Sequence, residues 1–195
     1  MSQKVWKRKS ATGTGVEQTL AIHREPQEPR PFNMPSKNVD DLKIDGDSFT
    51  LDSFTTDDAW DLGHLLYARL KPLAPEKPAV VSIALANTCQ VLFQCSTGPG
   101  TTPDNEVWVR RKRNSVLRFG CSTWMLHCKY AGDEAAFAGK MGLGPEQAGK
   151  YAIHGGGVPI RVKGVEGVVA VVVVSGLKQW DDHGVIVDVI KENWE

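Results

Sequence analysis

No uninterrupted apolar run in this chain approaches the roughly 18 residues that a membrane-crossing helix needs, so no membrane partner is expected. An excess of one charge is missing too: 23 Lys and Arg balance 23 Asp and Glu. No global field would steer the protein onto nucleic acid or an anionic surface. Cysteine is scarce, and Cys89, Cys95, Cys121 and Cys128 follow neither zinc-ligand spacing nor a disulfide framework. Reduced thiols, and so a cytoplasmic location, are expected. Met1–Ser10 is basic but is not followed by the apolar stretch of a secretory leader. The late appearance of acids, at Glu17 and Glu25, leaves only a weak organelle-targeting pattern. There is also no Ser–His–Asp order, no phosphate loop and no dinucleotide fingerprint, because Gly155–Gly157 precede a strand rather than a helix.

At 195 residues the chain suits one well-filled core better than two. Residues 1–38 are rich in Lys, Gln, Thr, Glu and Pro, with no periodic apolar face, and read as a flexible N-terminal arm. The remainder, 39–195, reads as one α+β domain. A short strand is expected around Phe49–Leu51. Thr55-Thr56-Asp57-Asp58 then caps a helix whose Ala59, Leu62, Leu66 and Leu70 share a face. Ala79–Ala86 and Cys89–Cys95 flank an Asn87-Thr88 turn and predict a hairpin. Thr102-Pro103 opens a helix with acids at its positive end, running to Phe119 and stopping at Gly120. Ser122–Tyr130 is ambiguous, and short helices follow over 134–141 and 145–151. A second hairpin spans 158–175. Its return run Val168–Val174 has no polar alternation, which predicts a strand buried on both faces. Asp181–Trp194 closes the chain as an amphipathic helix with Val185, Ile186, Val189 and Ile190 inward. Helices over a mainly antiparallel sheet are the expected architecture.

Two segments carry candidate chemistry. In the helix opened by Pro103, Asn105, Trp108, Arg111 and Lys112 fall on one face, since a helix turns about 100° per residue. Trp108 beside two cationic donors suits an aromatic or carboxylate-bearing ligand. The alternative is a solvated basic face with Trp108 as a core anchor. One basic turn without an aromatic array is a poor nucleic-acid footprint. In His154-Gly155-Gly156-Gly157-Val158-Pro159-Ile160-Arg161 the histidine can carry a proton or ligate a metal. The glycines let a ligand come close to the backbone. The alternative is a loop histidine that fixes the turn. Asp182-His183, at the start of the last helix, reads as a ligand pair or as a helix cap. A His154–His183 metal site lacks a marked third ligand. Cys121 follows a helix C-terminus, which disfavours a thiolate and favours a structural thiol.

The His154-Gly-Gly-Gly-Val-Pro-Ile segment, the hairpin ending Val174-Ser175-Gly176, and Asp182-His183 resemble the GlcG/HbpS-like superfamily, often labelled a haem-degrading domain. With Pro103-Asp104-Asn105, Trp108, the basic run Arg110–Arg113 and Arg118-Phe119-Gly120, the chain looks closer to that superfamily's branch of uncharacterised cytosolic proteins, over roughly residues 48–193. The resemblance implies a single α+β domain with a five-stranded antiparallel sheet, assembly into homo-oligomers, and haem as a possible ligand. That branch has a histidine after Phe-Gly, where this chain carries Cys121. The expectation is a cytosolic, oligomeric binding protein for a small anionic or haem-like ligand. Asn105, Trp108, Arg111, Lys112, His154, Gly155, Gly156, Arg161, Asp182 and His183 are its candidate site residues. A haem- or redox-handling enzyme and a protein-interaction or chaperone-adaptor protein are the alternatives.

Overall fold

The computed structural model describes residues 4–195. Its sheet has five strands: β1 (Phe49–Leu51), β2 (Val80–Leu85), β3 (Val91–Ser96), β4 (Gly157–Val162) and β5 (Ala170–Ser175), in the order β1-β4-β5-β2-β3. All neighbours are antiparallel except β1 and β4, which run parallel. Helices α1 (Thr14–Arg24), α3 (Thr56–Leu70) and α8 (Gln179–Asn193) lie on one side. On the other side lie α4 (Pro103–Phe119) and α5 (Thr123–Lys129), while α2 (Val39–Ile44), α6 (Glu134–Lys140) and α7 (Pro145–Ala148) fill connections.

Local chemistry sets these boundaries where the sequence indicated. Thr55 and Asp58 close a reciprocal capping box at the start of α3. Gly120 ends α4 in the left-handed conformation, with φ of 66°. β5 is the central strand. Ala170, Val172 and Val174 enter the core against α3 and α8, whereas Val171 and Val173 pack against Val109 and Val116 of α4. A strand covered by helices on both sides needs no polar alternation. The ambiguous 122–130 segment is helical because the Ser122 hydroxyl accepts the Met125 N–H at 3.0 Å and so caps α5.

The N-terminal segment differs from the flexible arm expected for 1–38; of that range, 1–3 lie outside the described residues. Trp6 bridges Leu51 and Arg8 bridges Trp194, so 6–8 run between the β1 edge and the chain's end. Helix α1 packs on α3. The fully buried Asp61 carboxylate of α3 accepts the Gly13 N–H at 2.8 Å and the Gly15 N–H at 3.2 Å, and pairs with Arg8. Farther along, Asp188 of α8 accepts the Asn33 N–H and side-chain amide, both at 2.9 Å. Phe32 packs against the core, and the Trp124 indole donates to Ser36 O at 2.8 Å. The strap is therefore fastened by polar groups of the domain gripping its backbone, with few apolar anchors of its own. Composition carries no trace of such contacts.

Replacing Asp61 with Ala removes the acceptor of the Gly13 and Gly15 N–H groups and leaves Arg8 with only Asp58 and Ala11 O. We expect a loss of about 3 kcal/mol in unfolding free energy by urea denaturation and faster proteolysis within residues 4–38, with Asp52→Ala as the unaffected control.

Candidate functional site

The loop 150–156, the exit of β5 and the first turn of α8 meet the N-terminal half of α4. Ser115, inside α4, donates to Ala152 O at 2.7 Å and accepts the Ala152 N–H at 2.9 Å, which fixes that loop on the helix. At the junction the Lys112 ammonium donates to Asp182 Oδ2 at 2.8 Å and to Val174 O at 2.9 Å. The second Asp182 oxygen accepts the Leu177 N–H at 3.0 Å. Both side chains are about 3% exposed. Burial raises the Asp182 pKa, and Lys112 opposes that rise.

Above this ion pair lies a cleft of about 300 Å³ lined by Asp104, Asn105, Trp108, His154, Ser175 and Gln179, with Lys112 and Asp182 at its floor. The Trp108 and His154 rings meet edge-to-face at 5.0 Å, and the indole N–H donates to Asp104 at 3.1 Å. His154 Nδ1 stands 3.3 Å from Glu134 Oε1 of α6. Partial burial lowers the His154 pKa; Glu134 pulls it up, while Lys112 and Arg111 push it further down.

Of the candidate residues, Asn105, Trp108, Lys112, His154 and Asp182 come together in this cleft. The roles expected of the cations change. Lys112 is held by Asp182 and Val174. Arg111 lies 4.4 Å over the Trp108 ring, donates from Nε to Tyr151 O at 2.9 Å and stands 3.6 Å from Glu134. It buttresses Trp108 from outside the cleft lining.

The glycines are also explained differently. Gly156 has φ of 110°, and a Cβ there would sit 2.7 Å from both Lys112 Nζ and Asp182 Cβ. A Cβ on Gly155 would collide with the Gln179 backbone. The protein itself, rather than a ligand, makes the close approach.

Two candidates lie elsewhere. Arg161, on the α4 side of β4, donates to Gly120 O at 2.7 Å. His183 points about 100° away from Asp182 around α8. Its Nε2 meets Gly46 O at 2.9 Å, and its ring stacks near Trp124. Burial pushes the His183 imidazole down to about 4. Cys121 also sits apart, its thiol pushed up by burial to about 12. Ser175 could be read as a small polar residue at a strand exit, but Gln179, Glu134 and Tyr151 carry no sequence signal. Among the described residues no group of three or more His, Cys, Asp or Glu could hold a metal ion.

Fold and cleft together define a single-domain α+β protein with a compact, aromatic-walled pocket beside one end of its sheet. The chain belongs to the family described as haem degrading protein HbpS-like, which matches residues 54–191. It is similar to a UPF0303 protein of Streptomyces avermitilis, 39% identical over 154 residues that cover 79% of this chain and 89% of that one. It also resembles the UPF0303 protein YBR137W of Saccharomyces cerevisiae, 37% identical over 68% of this chain and 71% of the relative. The crystal structure of Ybr137w superposes with a TM-score of 0.65 at 35% identity, covering 73% of this chain and 81% of that one. The crystal structure of HbpS shares the fold, with a TM-score of 0.52 at 19% identity, over 71% of this chain and 88% of that one.

Two outcomes follow from the buried charges. Lys112→Ala strands the Asp182 carboxylate and should cost about 3–5 kcal/mol, read from the urea midpoint at pH 7. The neutral His183 contributes stability that is present above its unfolded pKa of 6.5 and lost as pH falls towards its folded value of about 4. The drop reaches about 3 kcal/mol from this group. His183→Gln should show a correspondingly smaller fall in unfolding free energy between pH 7 and pH 4.

Proposed function

We propose that this protein binds a compact, partly planar small molecule in the cleft between α4 and the start of α8. The observation that carries this reading is the convergence of Trp108, His154, Asn105 and Gln179 over a neutralised floor, the Lys112–Asp182 pair. At about 300 Å³ the cleft is at the small end of ligand pockets, which run to about 1,000 Å³. Trp108 offers a rigid apolar face, held in place by Arg111 and Asp104. His154 and Asn105 offer polar groups that orient the ligand. An anionic head group would draw on what remains of the Lys112 donor capacity. Since both nearby cations already have partners, shape and hydrogen bonding decide more than charge.

A haem-like ligand is the second reading. The family description supports it, as does a His154 whose pKa is lowered, because the neutral imidazole is the form that ligates iron. Four cysteines, none in a disulfide, support a reducing, cytoplasmic setting.

The test is identification of co-purifying small molecules by mass spectrometry, followed by titration of that compound and of haemin into four variants. Trp108→Ala and His154→Ala should each weaken binding tenfold or more. Arg111→Lys should weaken it several-fold, by losing the contact that steadies Trp108. Arg110→Lys, at an exposed position, should leave it unchanged. Equal affinity across all four would overturn the assignment of this cleft. A visible-region spectrum that shifts with haemin in the wild type but not in His154→Ala would favour the haem reading over the first.

A further inference from the structure

The hydrogen bonds around the cleft consume its acceptors and leave donors free. Asn105 Oδ1 accepts the Thr102 N–H at 2.8 Å, at the start of α4. Gln179 Oε1 accepts the Gly155 N–H at 3.3 Å. A backbone N–H can only donate, so each contact fixes which half of the amide is oxygen and leaves the NH2 as the unengaged half. Neither NH2 group has a partner among the described residues. The other acceptors are taken as well. One Asp182 oxygen accepts from Lys112 and the other from the Leu177 N–H, while Val174 O accepts from Lys112. One oxygen of Asp104 accepts the Trp108 indole N–H.

Two further donors belong to the same lining. An ammonium carries three N–H groups, and Lys112 commits two of them to Val174 O and Asp182. Ser175, at the exit of β5, is only 4% exposed, lines the cleft, and its hydroxyl bonds no side chain or backbone group among the described residues. A hydroxyl enclosed by packing and left unpaired is costly, so this one favours a molecule that brings it an acceptor. Charge narrows the choice. The floor is neutral, and Asp104 stands exposed in the cleft wall, where it repels an entering anion. A cation would bring more N–H groups to a wall already rich in them.

We propose that the cleft selects a neutral aromatic compound whose ring bears a carbonyl group, a ketone, aldehyde or amide. The ring lies against Trp108, and the oxygen accepts from the free donors of Asn105, Gln179, Ser175 and Lys112. A carbonyl oxygen has two lone pairs and no proton, so it satisfies two of these donors and adds none. A carboxylate offers similar acceptors, but its charge finds no free counter-ion, because Lys112 is paired with Asp182 and Arg111 with Glu134. This selection rests on the cleft being the binding site, as proposed above, and names the chemistry that the site accepts.

Acetophenone, 1-phenylethylamine (an ammonium ion at pH 7) and benzoate are probes of similar size and different charge. Each is titrated into the isotope-labelled full chain and followed by the indole N–H resonance of Trp108, assigned from its loss in Trp108→Phe. Acetophenone should bind the wild type roughly fivefold or more tightly than either charged probe, the scale of one hydrogen bond. Asn105→Asp and Gln179→Glu keep an oxygen for the Thr102 or Gly155 N–H and replace the NH2 with a second oxygen. Each should weaken acetophenone about fivefold and narrow its advantage over 1-phenylethylamine. Ser175→Ala should weaken acetophenone several-fold. Circular dichroism checks folding, and the ranking of probes on the wild type decides the matter even where a variant fails to fold. The proposal is overturned by a charged probe that binds as tightly as acetophenone, by acetophenone affinity unchanged in both amide variants, or by no probe moving the Trp108 resonance. A charged probe that binds best and is lost in Trp108→Ala would overturn the chemistry proposed and leave the cleft assignment standing. Affinities that Trp108→Ala leaves unaltered, read from backbone resonances, would overturn both.

Discussion

The buried ion pair between Lys112 and Asp182 joins three parts of the chain that are distant in sequence: the middle of α4, the exit of β5 through Val174 O, and the first turn of α8. Withdrawing two charges from water is costly unless geometry and additional hydrogen bonds compensate. Here Val174 O and the Leu177 N–H supply those bonds, so the pair holds only when all three elements are in register. It also dictates glycine at 156, since any side chain there would displace the ammonium. The loop that carries His154 is thereby brought to Trp108. A pocket floor with no net charge is the direct consequence, and it shifts ligand selection onto the aromatic wall and the polar groups around it.

The same economy of polar contacts governs the N-terminal strap. Of the domain's carboxylates, Asp61 accepts two backbone N–H groups from the strap and Asp188 accepts one together with a side-chain amide. A chain segment rich in Pro and polar residues is thus ordered without a hydrophobic face of its own. Its course along β1 closes one edge of the sheet, while no strand or bridge among the described residues pairs with the outer edge of β3. The molecule is consequently asymmetric. The pocket lies beside one end of the central strands, and the strap covers one edge.

Most of the fold was legible because it rests on local or periodic signals. The Thr55–Asp58 cap, the Gly120 stop and the unbroken Val168–Val174 run each state their conformation within a few residues. The site was legible in part for the same reason. Asn105, Trp108 and Lys112 share a helix face, and His154 precedes the glycines. Arg161 and His183 could be excluded only in three dimensions, because adjacent positions on a strand or helix point into different environments. Gln179, Glu134 and Tyr151 were invisible, since each contributes through a neighbour supplied by another element.

What the sequence determined by itself was the order of elements from β1 onward, save the ambiguous 122–130 segment, the central placement of β5, and the kinship to the HbpS-like family that its His-Gly-Gly-Gly hairpin and basic helix carry. Tertiary structure alone decided the state of the charges. Of the four consecutive cations Arg110–Arg113, the sequence places Arg111 and Lys112 on one face as donors to a ligand, yet the fold gives each of the four a different environment. Arg110 goes to solvent, Arg111 to Tyr151 and Trp108, Lys112 into the core against Asp182, and Arg113 to Ser82. A sequence gives the sign of a side chain and its angle around a helix. Whether that charge is free for a ligand depends on which carboxylate or carbonyl the packing brings within about 3 Å, and only long-range packing fixes that.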